Sequence, residues 1–281
     1  MTSDNLYTKQ NQTGTSAFKP AHFSSNMIQG KQPQPIQTDV RFIVQYKPKF
    51  CIRTKRVVGV EPQVWLKSVI DNSTRPCDPS LHYTDQVVER MTMFSLKQSL
   101  HDCSLWGKMG QELDLVVNVS AKQICEAAFP QVVSNLLEHY RIPSKRLTLN
   151  VLPCRSRYEE DKLVASLAIL NLLGIKLSLG QFGGESASVT LLGIAKFTEV
   201  KIDSSIIDKI SYSHKSKEIL LTLISLAKRL NLKVVADGIK YSYQNDLLLK
   251  YGIDYIQGEN FSKQLTAHEI SDLFTKLKMA S

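Results

Sequence analysis

Ile175-Lys-Leu-Ser-Leu-Gly-Gln-Phe-Gly183 is an apolar, strand-like run that ends in a polar turn, and the chain repeats that form downstream. Phe197-Thr-Glu-Val-Lys-Ile-Asp203 ends on Lys201 and Asp203. Leu232-Lys-Val-Val-Ala-Asp-Gly238 ends on Asp237, and Gly252-Ile-Asp-Tyr-Ile-Gln-Gly258 ends on Gln257. Segments with helical spacing of apolar residues, over 216–230 and 243–251, lie between the later runs. Strands alternating with amphipathic helices imply a parallel sheet. When such a sheet closes into a barrel, its chemistry gathers at the carboxyl ends of the strands. Here those ends carry few acids.

Outward from this stretch the pattern continues. Residues 40–46 and 56–60 alternate as strands joined by a basic turn. Residues 84–106 read as a helix through Val87, Val88, Met91, Met93, Phe94, Leu96 and Leu100. A strand over 113–119, one helix over 121–139 and a strand over 147–152 follow. Gly174 stops a helix over 158–173, and a helix over 267–279 closes the chain. The first segment differs in kind: 1–39 is rich in Gln, Ser, Thr, Asn and Pro and lacks periodicity. It reads as a disordered leader ahead of a barrel domain over 40–281.

The composition fits that reading. A chain of 281 residues that is 43% hydrophobic has room for a barrel of about 250 residues as one domain. The longest apolar run, 163–179, is interrupted by Ser166, Asn171, Gly174, Lys176 and Ser178 and reads as a helix and strand rather than a membrane span. No secretory signal opens the chain. The five cysteines, at 51, 77, 103, 125 and 154, are an odd set without a Cys-x-x-Cys pair. Reduced thiols and a cytoplasmic location are expected. His101 and Cys103 read as packing residues rather than a nucleophilic pair. No phosphate-cradling Gly-x-x-x-x-Gly-Lys loop, His-Glu-x-x-His or Gly-x-Ser-x-Gly motif occurs. That removes the basis for nucleotide-triphosphate hydrolysis, zinc peptidase and serine hydrolase chemistry.

From 41 to 277 the chain resembles the EAL domain family, which hydrolyses cyclic di-GMP with two metal ions. The family's Asp-Asp-Phe-Gly is similar to Gly180-Gln181-Phe182-Gly183, and its Lys-Ile-Asp to Lys201-Ile202-Asp203. Its Ala-Glu-Gly-Val-Glu is similar to Ala236-Asp237-Gly238-Ile239-Lys240, its Gln-Gly to Gln257-Gly258 and its Asn-x-Ser to Asn118-Val119-Ser120. The signature Glu-Ala-Leu reads Glu61-Pro62-Gln63. The resemblance implies an α/β fold, a TIM-like (β/α)8 barrel of the EAL type whose first strand runs antiparallel to the others.

The resemblance also implies a site, residue by residue. Glu61, Lys201 and Asp237 are remnants of the catalytic set. The metal-ligand positions at Asn150, Gly180 and Gln181 have lost their carboxylates. Cleavage by a pair of hard cations needs oxygen ligands, chiefly carboxylates, so no cofactor is expected. Mg²⁺ or Mn²⁺ would enter only if the chain were a phosphodiesterase. Retained nucleotide binding would use Lys47, Glu61, Asn118, Lys201, Asp237 and Gln257. The family's Tyr-Gln-Pro reads Tyr46-Lys47-Pro48, and its phosphate-binding Arg is Trp65, either a stacking platform or a packed aromatic.

The expected function is therefore that of a catalytically inactive regulator in bacterial signalling, acting through a protein partner. The alternatives are a non-hydrolysing cyclic di-GMP receptor and a weak phosphodiesterase. The family forms homodimers beside its fifth and sixth strands. In this chain Ile202, Ile206, Ile207 and Ile210 form an apolar stripe there, read as either interface or core, next to the loop 184–190. Arg41, Lys47, Lys49, Arg53, Lys55 and Arg56 form a basic hairpin in a chain of net charge +9. An acidic protein partner fits it better than nucleic acid, whose recognition motifs are missing.

Overall fold

A long antiparallel hairpin, β1 (Val40–Cys51) and β2 (Val57–Ser68), sets the geometry of everything after it. The computed structural model describes residues 40–77, 84–153, 159–184 and 189–279. The expected leader over 1–39, most of the loop 184–190 and Cys154 lie outside them. A short strand, β3 (Thr74–Pro76), extends the far end of β2. The strands β4 (Asp114–Ser120), β5 (Leu147–Leu152), β6 (Lys176–Phe182), β7 (Glu199–Ile202), β8 (Lys233–Ala236) and β9 (Tyr255–Ile256) then add in parallel, each beside the last. Because β1 pairs with both β2 and β9, antiparallel to each, the ring closes. The result is a TIM-type barrel of eight strands with a reversed first strand; β3 is the ninth strand, outside the ring.

Helices fill the connections: α1 (Asp85–Lys108), α2 (Ala121–Ile124), α3 (Phe129–Tyr140), α4 (Glu160–Leu172), α5 (Leu191–Ile194), α6 (Ser204–Ile207), α7 (His214–Arg229), α8 (Tyr243–Tyr251) and α9 (Ala267–Met279). Local chemistry fixes several of their ends. The side chains of Thr84 and Ser213 accept from backbone N–H groups in the first turns of α1 and α7. Gly252, at φ 83°, ends α8 in the left-handed conformation that a Cβ disfavours.

The expected helix over 121–139 is two helices. Pro130 occupies the first turn of α3, where its missing N–H costs nothing, whereas in a continuous helix it would break the hydrogen-bond ladder. The first hairpin is also longer than the apolar alternation suggested. Lys47, Lys49, Glu61 and Gln63 interrupt the pattern as polar residues, yet each lies within a strand, in register with its neighbour.

The reason is an unusual division of the interior. On β4 to β8 one alternating set, including Leu115, Val117, Leu149, Val151, Leu177, Leu179, Val200 and Val234, belongs to the continuous hydrophobic core. The residues between them face the barrel axis, and many are polar: Thr148, Asn150, Ser178, Glu199 and Lys201 are all buried. The apolar core is thus a shell between strands and helices. The stripe of Ile202, Ile206, Ile207 and Ile210 belongs to that shell, which settles it as packing.

Near the amino ends of the parallel strands, Lys49 crosses the barrel to Glu199 at 2.5 Å and lies over the Tyr255 ring at 4.6 Å. Lys49 is therefore no part of a solvent-facing basic stripe. Removing one member of a buried ion pair leaves the other charge stranded. Lys49→Met should lower unfolding stability by about 3–5 kcal/mol, and Lys49→Met with Glu199→Gln should recover much of that loss. Denaturant unfolding of the two variants beside the unsubstituted chain checks this.

Candidate functional site

At the opposite mouth of the barrel, the ends of six strands bring together Lys47, Glu61, Asn118, Asn150, Lys201 and Asp237. Lys201 ends its side chain between two carboxylates, with Nζ 2.5 Å from Glu61 Oε2 and 2.9 Å from Asp237 Oδ2. Lys47, reaching in from β1, places its Nζ 3.0 Å from Asp237 Oδ1 and 3.2 Å from Oδ2. The Gly238 N–H donates to Asp237 Oδ1 at 2.7 Å. Glu61 is equally engaged: its Oε1 accepts from Gln63 Nε2 at 2.8 Å and from Asn118 Nδ2 at 2.9 Å. Asn150 Nδ2 then donates to Asn118 Oδ1 at 2.7 Å.

Glu61 is 1% exposed and Lys201 8%. Burial by itself would raise the Glu61 and Asp237 carboxyls, but the Lys201 and Lys47 ammonium groups outweigh it and hold both below the ordinary carboxylate range. Burial would likewise lower the Lys201 ammonium, and Asp237 and Glu61 outweigh that, raising it above the ordinary lysine range. Each shift favours the charged form of its group, and two carboxylates face two lysines at the mouth.

The expected site residues divide clearly. Gln257 is buried at the rim and donates to the Lys47 carbonyl at 3.4 Å. Gln181 is exposed at φ 51° and contributes nothing to the cluster. At Gly180 a Cβ would meet Leu152 Cδ2 at 2.5 Å and Asn150 Nδ2 at 2.9 Å. The space a longer side chain would need is filled by neighbours. Trp65 donates from Nε1 to Gln264 at 2.5 Å and is half-buried, the packed-aromatic reading. Asp203 caps α6, accepting from the Ser205 N–H at 2.9 Å. Cys103 is a packing residue, buried and with its thiol pushed up to about 12 by desolvation, the opposite of a reactive thiolate; His101 is not, since it is exposed beside Asp102 Oδ1 at 3.2 Å.

Gln63 is the residue that sequence reasoning missed. It stands at the leucine position of the Glu-Ala-Leu signature, and its spacing of two from Glu61 on β2 puts both on one face of the strand.

Can this donor set hold divalent metal? Among the described residues no group of three or more His, Cys, Asp or Glu side chains converges as a metal site. The two carboxylates at the mouth are already bound to ammonium groups. Asn150 Oδ1, buried and accepting no hydrogen bond among the described residues, is a neutral amide oxygen. The residues present do not fit a two-metal centre.

The sequence matches the EAL domain model over residues 32–264. The chain belongs to the EAL domain family. It is 26% identical over 234 residues to signaling protein YkoW of Bacillus subtilis, covering 83% of this chain and 29% of that protein. It is 25% identical over 226 residues to the probable cyclic di-GMP phosphodiesterase PdeB of Escherichia coli, covering 79% of this chain and 42% of that one. The chain thus spans less than half the length of these relatives. The structure of the PaMucR phosphodiesterase in complex with cyclic di-GMP superposes with a TM-score of 0.71 at 22% identity, covering 82% of this chain and 94% of that one. Among the described residues no helix is long and apolar enough to cross a membrane.

The lowered carboxyl pKa values have a stability consequence. A group whose folded pKa is depressed contributes its full stabilisation above its unfolded value, about pH 4 for Asp and Glu, and loses it as pH falls through the folded value. Asp237→Asn should therefore flatten the acid limb of a stability–pH profile below about pH 4 relative to the unsubstituted chain. Thermal unfolding followed by circular dichroism across that range measures it.

Proposed function

We propose that this chain is an EAL domain that does not hydrolyse cyclic di-GMP and that works as a regulator by contacting another protein. The observation that carries the reading is Lys47 seated on Asp237 at a mouth where positions 150, 180 and 181 carry no carboxylate. In a two-metal phosphodiesterase, carboxylates balance cations that clamp the attacking and leaving oxygens. Here that balance is met internally by ammonium groups. A divalent ion would have to displace the buried Lys201 from Glu61 and Asp237, stranding its charge, and beyond those two carboxylates would find only the neutral amides of Asn118 and Asn150.

The replacements act together. Gly180 offers no ligand, and the ends of the Leu152 and Asn150 side chains would have to shift to admit one there. Restoring one acid would not restore the site. The scaffold around it is intact, with a closed barrel and a continuous apolar shell. A stable surface around a charge-neutral mouth suits a binding role.

The test is direct. The purified chain incubated with cyclic di-GMP and Mg²⁺ or Mn²⁺ should release no linear di-GMP by reversed-phase chromatography, and Glu61→Ala should leave that result unchanged. Product that accumulates with time and falls in Glu61→Ala would overturn the reading. Saturable nucleotide binding without product would replace the protein-contact role with that of a receptor.

A further inference from the structure

Away from the mouth, a groove runs between α7 and α8 and the turn that precedes α7. Its first stretch has a volume of about 490 Å³ and is lined by Ile210, Tyr212, Lys217, Tyr243, Leu247 and Tyr251 among others. A second stretch of about 460 Å³ continues along α7 past Leu221, Ile224, Lys228 and Arg229, with Tyr251 shared between the two.

Three properties set this groove apart from an ordinary seam between helices. The first is exposed aromatic area: Tyr212 is 76% exposed and Tyr243 54%, and Tyr243 stacks on the 56%-exposed Tyr241 with ring planes 10° apart. Large aromatic side chains left at a surface are the residues that dominate protein interfaces. The second is its apolar floor, where Ile210 and Ile224 are buried side chains of the core shell.

The third is charge. Among the described residues no aspartate or glutamate lines either stretch. Lys217, Lys228 and Arg229 form no ion pair with a carboxylate among the described residues, and Lys217 lies 5.8 Å over the Tyr251 ring. Of the acids near the lining, Glu218 lies 3.7 Å from His214, Asp208 holds Lys240 at 3.0 Å and Asp246 is exposed on α8. The groove is thus cationic along its wall, aromatic at its rim and apolar at its floor.

We propose that this groove docks an acidic segment of a partner protein, one in which carboxylates flank a bulky apolar or aromatic residue. Lys217, Lys228 and Arg229 meet the carboxylates, Tyr212 and Tyr243 cover the anchor, and the floor between α7 and α8 receives it. Charge complementarity selects an acidic segment. The apolar floor selects a peptide over a nucleic acid strand, whose bases need open ring faces, and one face of Tyr243 is already covered by Tyr241. The inference rests on the protein-contact reading and gives that partner a chemistry and a place.

The experiment is selection of a displayed random peptide library on the intact chain, followed by fluorescence anisotropy with the enriched peptides. Acidic peptides bearing one bulky apolar residue should be enriched. Tyr243→Ala and Lys217→Glu should each weaken their binding by at least about tenfold. Both side chains are at the surface, so unchanged melting temperatures should accompany the loss. Enrichment of neutral or basic peptides, no enrichment, or binding indifferent to both substitutions would overturn the proposal. So would tighter binding of a single-stranded oligonucleotide at the same residues, or self-association of the chain that Tyr243→Ala abolishes. Failure here is separable from failure of the protein-contact reading: turnover of cyclic di-GMP would remove that reading whatever the library shows.

Discussion

A single buried ammonium group organises the mouth of this barrel. Lys201 leaves β7 and meets Glu61 from β2 and Asp237 from the end of β8. It ties together elements far apart in the sequence, across the interior of a closed ring. Desolvating such a charge is costly, and only close opposite charges with satisfied hydrogen bonds offset that cost. Glu61 and Asp237 supply the charge; Gln63, Asn118, Lys47 and the Gly238 N–H complete the hydrogen bonding. Each partner is needed by the others, so the site behaves as one unit.

The division of the interior makes this arrangement tolerable. Apolar burial, the main source of stability, is concentrated in the shell between strands and helices. The barrel axis can then carry charged pairs at two levels, Lys49 with Glu199 and Lys201 with the mouth carboxylates. This separation of scaffold from site is why a barrel can keep its fold while its chemistry changes.

The fold was legible because period-two strands and period-3.6 helices alternate so regularly after residue 113, and the helix over 243–251 matches α8 at both ends. The legibility failed where side chains enter the barrel. Lys49 read only as a surface charge in a basic hairpin, and Lys47 as both that and a nucleotide contact; the closure of β1 against β9 places Lys47 on Asp237 and Lys49 on Glu199. The loss of acids at Asn150, Gly180 and Gln181 could be read from the motifs. The packing of Leu152 and Asn150 against Gly180 could not, since it depends on adjacent strands in register. Nor did any motif mark the groove along α7. Its residues come from a turn and two helices with no shared pattern in the sequence.

The central claim is that the two remaining mouth carboxylates, held by Lys47 and Lys201, do not accept a pair of divalent ions. Isothermal titration of Mn²⁺ into the purified chain at neutral pH tests it most directly. The account predicts no saturable heat beyond dilution, and no change when Glu61 is replaced by Gln. Stoichiometric heat that disappears in Glu61→Gln would show that the mouth still accepts metal, and would contradict it.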